Sequence, residues 1–429
     1  MAELHSDLSR TQSPSPHGIQ PLRRVNAGFI GTLALSLLGM WMAVFAPIQI
    51  LLAQQMEILA PGRKETTFGI VVSIGSVVAL IANPVIGALS DRTTSRFGRR
   101  HPWNLGGLLL TAGALFMLGR QGSVTGVILW WIAVQLGTSA MLSAMTAVVP
   151  DRVPVSQRAM VSAWSGITIS VGIVMGTLLT TVAVSGIEHG YRAISICLLV
   201  LSLPFLLVTR DTPLLPASLP TWSWHAFLTG FWINPRKHPD FAWAWVTRFL
   251  VTLGNAMATV FFLYFLRDGI HYEQLFPGRR AEDGLMTLVL LYTVAVIVSA
   301  FVCATVSDRT GRRKLLVAAS GTVMSLATLM LAVWPGWPLA MVSAVVLGLG
   351  YGAYMAVDQA LITQVLPTSG DHGRDLGVIN IAIVGPQVLA PIICAIAVTR
   401  LGGYSTLYLI AGGVGLIGGL LVHRIRNVP

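Results

Sequence analysis

The sequence predicts an all-α integral membrane protein, with twelve transmembrane helices arranged as two pseudo-symmetric six-helix bundles. Three observations carry this. Of 429 residues, 54% are hydrophobic and only 10% are charged, with mean hydropathy +0.73. A water-soluble domain of that composition would expose gross apolar surface. Twelve apolar stretches come close to the roughly 20 residues needed to cross about 30 Å of hydrocarbon. Finally, Ser90-Asp91-Arg92 recurs 217 residues later as Ser307-Asp308-Arg309, each followed by Gly-Arg-Arg. The same offset carries Val149-Pro150 onto Leu366-Pro367, with Arg158 and Arg374 a few residues downstream, so the chain is a duplication.

In chain order, residues 1–24 contain Ser-Pro-Ser-Pro and end on Arg23-Arg24, and are expected to form a disordered cytoplasmic tail. The apolar run that follows is too long for the 7–15 residues, roughly, of a signal-peptide core, so it reads as an uncleaved first helix. The first bundle, 25–208, holds spans near 27–52, 66–90, 103–119, 126–149, 160–184 and 191–208. A cytoplasmic linker is expected over 209–240, where Pro213, Pro216, Pro220 and Pro235 interrupt the pattern. Its Trp222, Trp224 and Trp232, with Arg236 and Lys237, suit the membrane surface. The second bundle, 241–429, holds spans near 241–266, 285–306, 314–334, 338–366, 376–399 and 403–422. Pro84, Pro386 and Pro391 lie inside spans, and Gly348, Gly350 and Gly352 sit in span 10; they permit kinks and close packing.

Basic residues mark the cytoplasmic side. Placing both termini inside assigns 19 of the 28 Lys and Arg to cytoplasmic segments. The net charge of +11 then lies largely at the headgroup face and requires no nucleic acid. Cys197, Cys303 and Cys394 fall inside apolar spans without metal-ligand spacing, and no histidine lies within a span. They read as core residues, and no metal or cofactor is expected.

After span 2 the chain reads Gly87-Ala-Leu-Ser-Asp91-Arg92, then Arg96-Phe-Gly98-Arg99-Arg100-His-Pro102-Trp. Here, and in the degenerate copy Ser307-Asp308-Arg309-Thr310-Gly311-Arg312-Arg313-Lys314, the sequence resembles the major facilitator superfamily, whose signature lies between helices 2 and 3 and is repeated between helices 8 and 9. The resemblance implies the major facilitator fold and transport by alternating access. The extended loop, and Pro150-Asp151-Arg-Val-Pro154-Val-Ser-Gln157-Arg158, are similar to the glycoside-pentoside-hexuronide and sucrose transporter branch. By resemblance, Asp91 would cap the start of helix 11 near Arg374, with Asp308 doing the same for helix 5 near Arg158. Such latches would hold the inner gate; a glycine at the end of span 2 allows close helix approach, and a carboxylate at a helix N-terminus is stabilised by the dipole. The other reading of these arginines, Arg92, Arg309, Arg312 and Arg313 among them, is enforcement of topology alone. Spans 1, 2 and 4 contain no Asp or Glu as drawn, against the sodium-coupled members of that branch, and span 5 lacks the Gly-Pro signature of drug antiporters.

Two charges lie deep: Arg248 in span 7 and Asp358 in span 10, both roughly 10–12 Å from the same side at 1.5 Å per residue. Charges at that depth pair or line a wet cavity, so an Arg248–Asp358 ion pair is expected. It either takes up and releases a proton as it opens and closes, or it fixes helix packing. Tyr351 and Tyr354 share a stripe with Asp358; Trp41, Phe45 and Gln49 step by four along span 1; Arg248, Thr252 and Asn255 share a face of span 7. With Gln135, Asn380 and Gln387 these form the candidate cavity, since amides and charges suit hydroxyls and aromatic faces suit a sugar ring.

The expectation is therefore a transporter of a small organic solute, most simply a proton-coupled sugar or glycoside symporter, acting as a monomer in the plasma membrane of a bacterium. The rivals are a proton-coupled exporter of a hydrophobic compound or drug and an uncoupled facilitator. A membrane enzyme would need clustered carboxylates, whereas the spans hold one acid, and a sensor would need larger soluble segments.

Overall fold

The computed structural model describes residues 24–209, 211, 236–365 and 372–425, and among them all regular structure is helical. Residues 1–23 and the linker tryptophans lie outside the described residues. Twelve long helices follow one another: α1 (Ala27–Leu59), α2 (Lys64–Asp91), α3 (His101–Leu118), α4 (Val124–Arg152), α5 (Val155–Leu178), α6 (Ile187–Val208), α7 (Pro239–Val260), α8 (Ala281–Thr310), α9 (Arg313–Val333), α10 (Trp337–Val365), α11 (His372–Arg400) and α12 (Tyr404–Leu421). Ten are long and apolar enough to cross a membrane on their own, and α7 joined to its bent continuation makes an eleventh. The remaining one, α3, opens on the polar turn His101-Pro102-Trp103-Asn104.

Packing repeats between the halves. In the first, α1 lies on α5 and α6, and α4 lies on α2 and α3; in the second, α7 lies on α11 and α12, and α10 lies on α8 and α9. The halves meet through α2 on α11 and α5 on α8, two contacts that the same symmetry exchanges. Small residues permit the close approaches. A Cβ on Gly69 would stand 2.7 Å from Pro391 O, and the neighbouring Ser73 Oγ donates to Val388 O at 2.7 Å. Cβ atoms on Gly348 and Gly352 would collide with the Tyr292 and Val296 carbonyls of α8, and one on Gly350 would stand 2.5 Å from Met324 Cγ of α9. The span 10 glycines therefore act in packing.

Irregular turns cluster at one end of the bundle. That end carries the α1–α2, α7–α8 and α11–α12 turns and is called the far face; the near face carries the start of α1 and the α2–α3 and α8–α9 turns. Pro47 lacks the N–H that would bond back one turn, and α1 widens there into a π-turn over Pro47–Leu51 before continuing to Leu59. Further π-turns follow α5 at Leu179–Ala183 and α7 at Phe265–Gly269, the latter after a 42° bend. The first span is thus longer than its apolar run. Its last turns hold Gln54, Gln55 and Glu57, which read in the sequence as the start of a loop.

Candidate functional site

On the near face the loop motif folds around Arg100, which is buried. Its guanidinium pairs with Asp91, donates to Ser90 Oγ at 2.9 Å and reaches Asp151 Oδ2 at 3.1 Å; Arg99 pairs with Asp151 Oδ1 at 2.5 Å. The backbone N–H groups of Arg100 and His101 both donate to Asp211 Oδ2, at 2.5 and 3.1 Å, so a carboxylate from beyond α6 caps the start of α3. Gly98 makes this possible: its φ is +94°, and a Cβ there would overlap the Asp211 side chain.

The described partner of Asp91 is therefore Arg100, within its own half. Arg158 likewise turns inward, donating to the Val153 and Pro150 carbonyls at 3.0 Å each. At Gly87 a Cβ would touch, among the described residues, only Ser143 Oγ at 4.0 Å, so no close helix approach is seen there. The side chains of Asp308 and Arg374 lie outside the described residues. Arg92 and Arg313 are engaged with neighbours, and Arg309 and Arg312 are exposed.

The expected deep pair is present. Arg248 Nε stands 3.0 Å from Asp358 Oδ2, each side chain 3% exposed. At that oxygen the contact counts as an ion pair and not as a hydrogen bond. The buried Tyr354 hydroxyl, one turn before Asp358, lies beside the Asp358 carboxylate and Thr252.

Around the pair the candidate cavity residues divide. Trp41 and Phe45 stack at 5.7 Å, and Gln49 Oε1 accepts from Thr177 Oγ1 of α5 at 3.0 Å. Asn255 Oδ1 lies 3.4 Å from the Tyr292 hydroxyl of α8, whose ring stacks on Tyr351. Gln387 continues the stripe of buried Pro391 and Cys394 on α11, opposite the outward-facing Leu389, Ile392 and Ile396, and yet is exposed. It therefore opens onto space between the helices, with half-buried Asn380 two turns nearer the near face. Gln135 does not join them. It is buried against α2, where a Cβ on Gly75 would meet its Cγ at 3.2 Å beside the Trp131 indole. Sequence reasoning missed Thr177 and Tyr292, isolated polar groups within apolar runs.

The far face holds a network that no sequence signal exposed. Arg267, in the π-turn after α7, pairs with Glu57 of α1 and with Glu282 of α8, the latter at 2.6 Å. Gln54 Nε2 donates to the same Glu282 oxygen at 2.7 Å, and the Glu282 side chain is only 4% exposed. Lys64 bridges Glu57 at 3.3 Å and Asp268 at 2.6 Å. Tyr264 donates to Ala53 O at 2.9 Å, and Arg280 Nη2 donates to Thr181 O at 2.9 Å. These contacts tie one half to the other. Two ion pairs, Glu57–Arg267 and Lys64–Asp268, cross between the halves here.

Comparison with known proteins agrees with the architecture. The sequence profile of the Major Facilitator Superfamily matches residues 28–278 and 278–429. A general alpha-glucoside permease of Schizosaccharomyces pombe is 29% identical over 133 residues, covering 27% of this chain and 24% of that protein. An uncharacterized symporter of Synechocystis sp. is 56% identical over 41 residues, covering 10% of this chain and 8% of that protein. The chain thus spans about a quarter or less of the length of these curated relatives. Among solved structures, a peptide transporter POT in complex with sulfate superposes with TM-score 0.75 at 13% identity, covering 95% of this chain and 96% of that one. The nucleoside transporter NupG gives TM-score 0.73 at 12% identity, covering 93% and 99%. At such identities these structures speak for the fold.

Proposed function

The chain belongs to the major facilitator superfamily, and from that premise we propose that it carries a sugar or glycoside together with protons by alternating access. The observation that carries this reading is the buried Arg248–Asp358 pair, taken together with the amides of Asn255, Asn380 and Gln387 and the Trp41–Phe45 stack. Amide and guanidinium groups match hydroxyls, and stacked rings offer an apolar platform. The partial matches to a glucoside permease and a symporter point the same way. Asp358 is the proton-carrying group in this proposal, holding its charge while paired and accepting a proton when the solute engages Arg248.

The near face is cytoplasmic in this reading, because it gathers the larger share of Lys and Arg. The tail at 1–24 and the linker at 209–240 lie there, joining bundles 25–208 and 241–429, and the protein works as a monomer in a bacterial plasma membrane. The Asp91 and Asp308 loops act as latches of the near-face gate. With the far face tied shut by Arg267, the described state faces the cytoplasm.

The test is proton movement in proteoliposomes on adding a panel of glycosides and hydrophobic drugs, comparing the parent with Asp358→Asn. Sugar-evoked alkalinisation that the variant loses supports symport through Asp358. Proton movement evoked by drugs alone makes the protein an exporter, and solute exchange without a proton signal in either protein makes it a facilitator.

A further inference from the structure

Two hydroxyls stand behind amides of the candidate cavity, one in each half. In the first half, the buried Thr177 of α5 meets the half-buried Gln49 of α1, with 3.0 Å between Thr177 Oγ1 and Gln49 Oε1. The same hydroxyl lies 2.8 Å from Ile173 O, one turn back, so it is held between its own helix and the amide. The two helices are seated closely here: a Cβ on Gly172 would stand 2.7 Å from Trp41 Cβ, and one on Gly176 3.0 Å from Ala46 Cβ. In the second half, the Tyr292 hydroxyl of α8 lies 3.4 Å from Asn255 Oδ1 of α7, and its ring stacks on Tyr351 at 6.2 Å.

The duplicated scaffold does not require either pair. Carried by the 217-residue offset, Thr177 falls on Cys394 and Gln49 on Leu266, while Tyr292 falls on Gly75 and Asn255 on Leu38. Those positions serve packing. Cys394 and Leu266 are buried, and the Trp131 indole fills the space that a side chain at Gly75 would take. Each half thus carries one hydroxyl–amide pair where its twin manages with apolar contacts. A glutamine or asparagine that is free to rotate must be ordered by whatever binds it, and that ordering weakens binding. An amide tied at one end presents the other in a fixed direction.

We propose that Thr177 and Tyr292 are positioning residues of the solute site, acting through Gln49 and Asn255. The proposal rests on these two amides facing the solute, and not on the solute being a sugar.

The experiment takes KM and kcat from initial rates in proteoliposomes, for whichever probe the parent moves among maltose, sucrose, methyl α-glucoside and the hydrophobic cation ethidium. Thr177→Val keeps the shape and loses the hydroxyl, and Tyr292→Phe keeps the stacked ring. Each should raise KM by about twofold to tenfold, the range for one hydrogen bond, with kcat and unfolding temperature little changed. Thr177→Ser should restore the parent KM. In a Gln49→Ala background Thr177→Val should raise KM no further, and in an Asn255→Ala background the same should hold for Tyr292→Phe. An unchanged KM in Thr177→Val, no rescue by serine, or a full effect in the Gln49→Ala background would each overturn the proposal. Movement of ethidium alone replaces the sugar reading, while the same comparisons made with ethidium still decide this one. Because serine rescue and the double variants are read on transport-competent protein, a misfolded single variant does not shield it.

Discussion

Arg248→Met leaves the Asp358 carboxylate 3% exposed within the helix bundle and without its cation. Removing one partner of a buried pair costs about 3–5 kcal/mol, because the remaining charge stays desolvated and uncompensated. Asp358→Leu removes the carboxylate that faces the buried Arg248 guanidinium and is destabilising for the same reason. Changing both together removes two desolvation penalties along with one attraction, and apolar replacement of a buried pair is often neutral or stabilising by about 1–4 kcal/mol. The double variant should therefore be more stable than Arg248→Met by about 3 kcal/mol or more. Thermal unfolding in detergent, at about 2 °C per kcal/mol for a bundle of this size, should place Arg248→Met roughly 5–10 °C below the parent and the double variant near it. Solute-evoked proton movement should be lost in all three, which separates coupling from stability. Arg248→Met as stable as the parent would show that Asp358 is not held as a carboxylate, and a double variant no better than Arg248→Met would refute the pairing argument.

Gly98→Ala places a side chain in the left-handed region, costing about 1–2 kcal/mol, and drives it into Asp211, so α3 also loses its cap. Measured by thermal unfolding it should be clearly destabilised, whereas Gly106→Ala, which meets nothing within 4 Å, should stay within about 0.5 kcal/mol of the parent. Asp91→Ala should slow exchange in proteoliposomes with solute affinity nearly unchanged; a large loss of affinity with normal cycling would count against the latch. Gln387→Ala should raise the KM for a transported glycoside with expression and unfolding temperature preserved, and an unchanged KM would remove Gln387 from the solute site.

The sequence carries the helices and their duplication in its apolar spans and in the paired Ser-Asp-Arg tripeptides, because lipid enforces one long apolar run per crossing. It also carries the Arg248–Asp358 pair, since two isolated charges of matching depth leave each other as the economical partner. The far-face network was hidden for the opposite reason. Gln54, Gln55 and Glu57 end the apolar run of span 1 and read as loop, yet they are helical, with Gln54 and Glu57 meeting Glu282 and Arg267 of the other half and Gln55 meeting Leu118 O and Tyr191 OH of its own. Nothing local to Arg267 signals that meeting, and the same holds for Asp211, whose role depends on where the chain passes beneath Gly98. Tyr292 and Thr177 were lost in apolar surroundings, where a single hydroxyl does not disturb the hydropathy pattern.

The symmetry that organises the fold does not extend to its chemistry. Carried back by the 217-residue offset, Arg248 falls on Gly31 and Asp358 on Met141, so the deep pair belongs to the second half alone, bridging α7 and α10. Rigid rocking of one half against the other leaves such a pair intact, because both partners travel together. The Glu57–Arg267 and Lys64–Asp268 pairs behave differently, since the same motion pulls them apart. If Asp358 carries the proton, its exchange must be driven by something other than rigid rocking: a solute competing for Arg248, or bending of α7, whose break at Phe261 lies about three and a half turns beyond Arg248 at 3.6 residues per turn. On the proposed mechanism the two ionic features divide the transport cycle, one responding to cargo within a half and the other to the relative position of the halves.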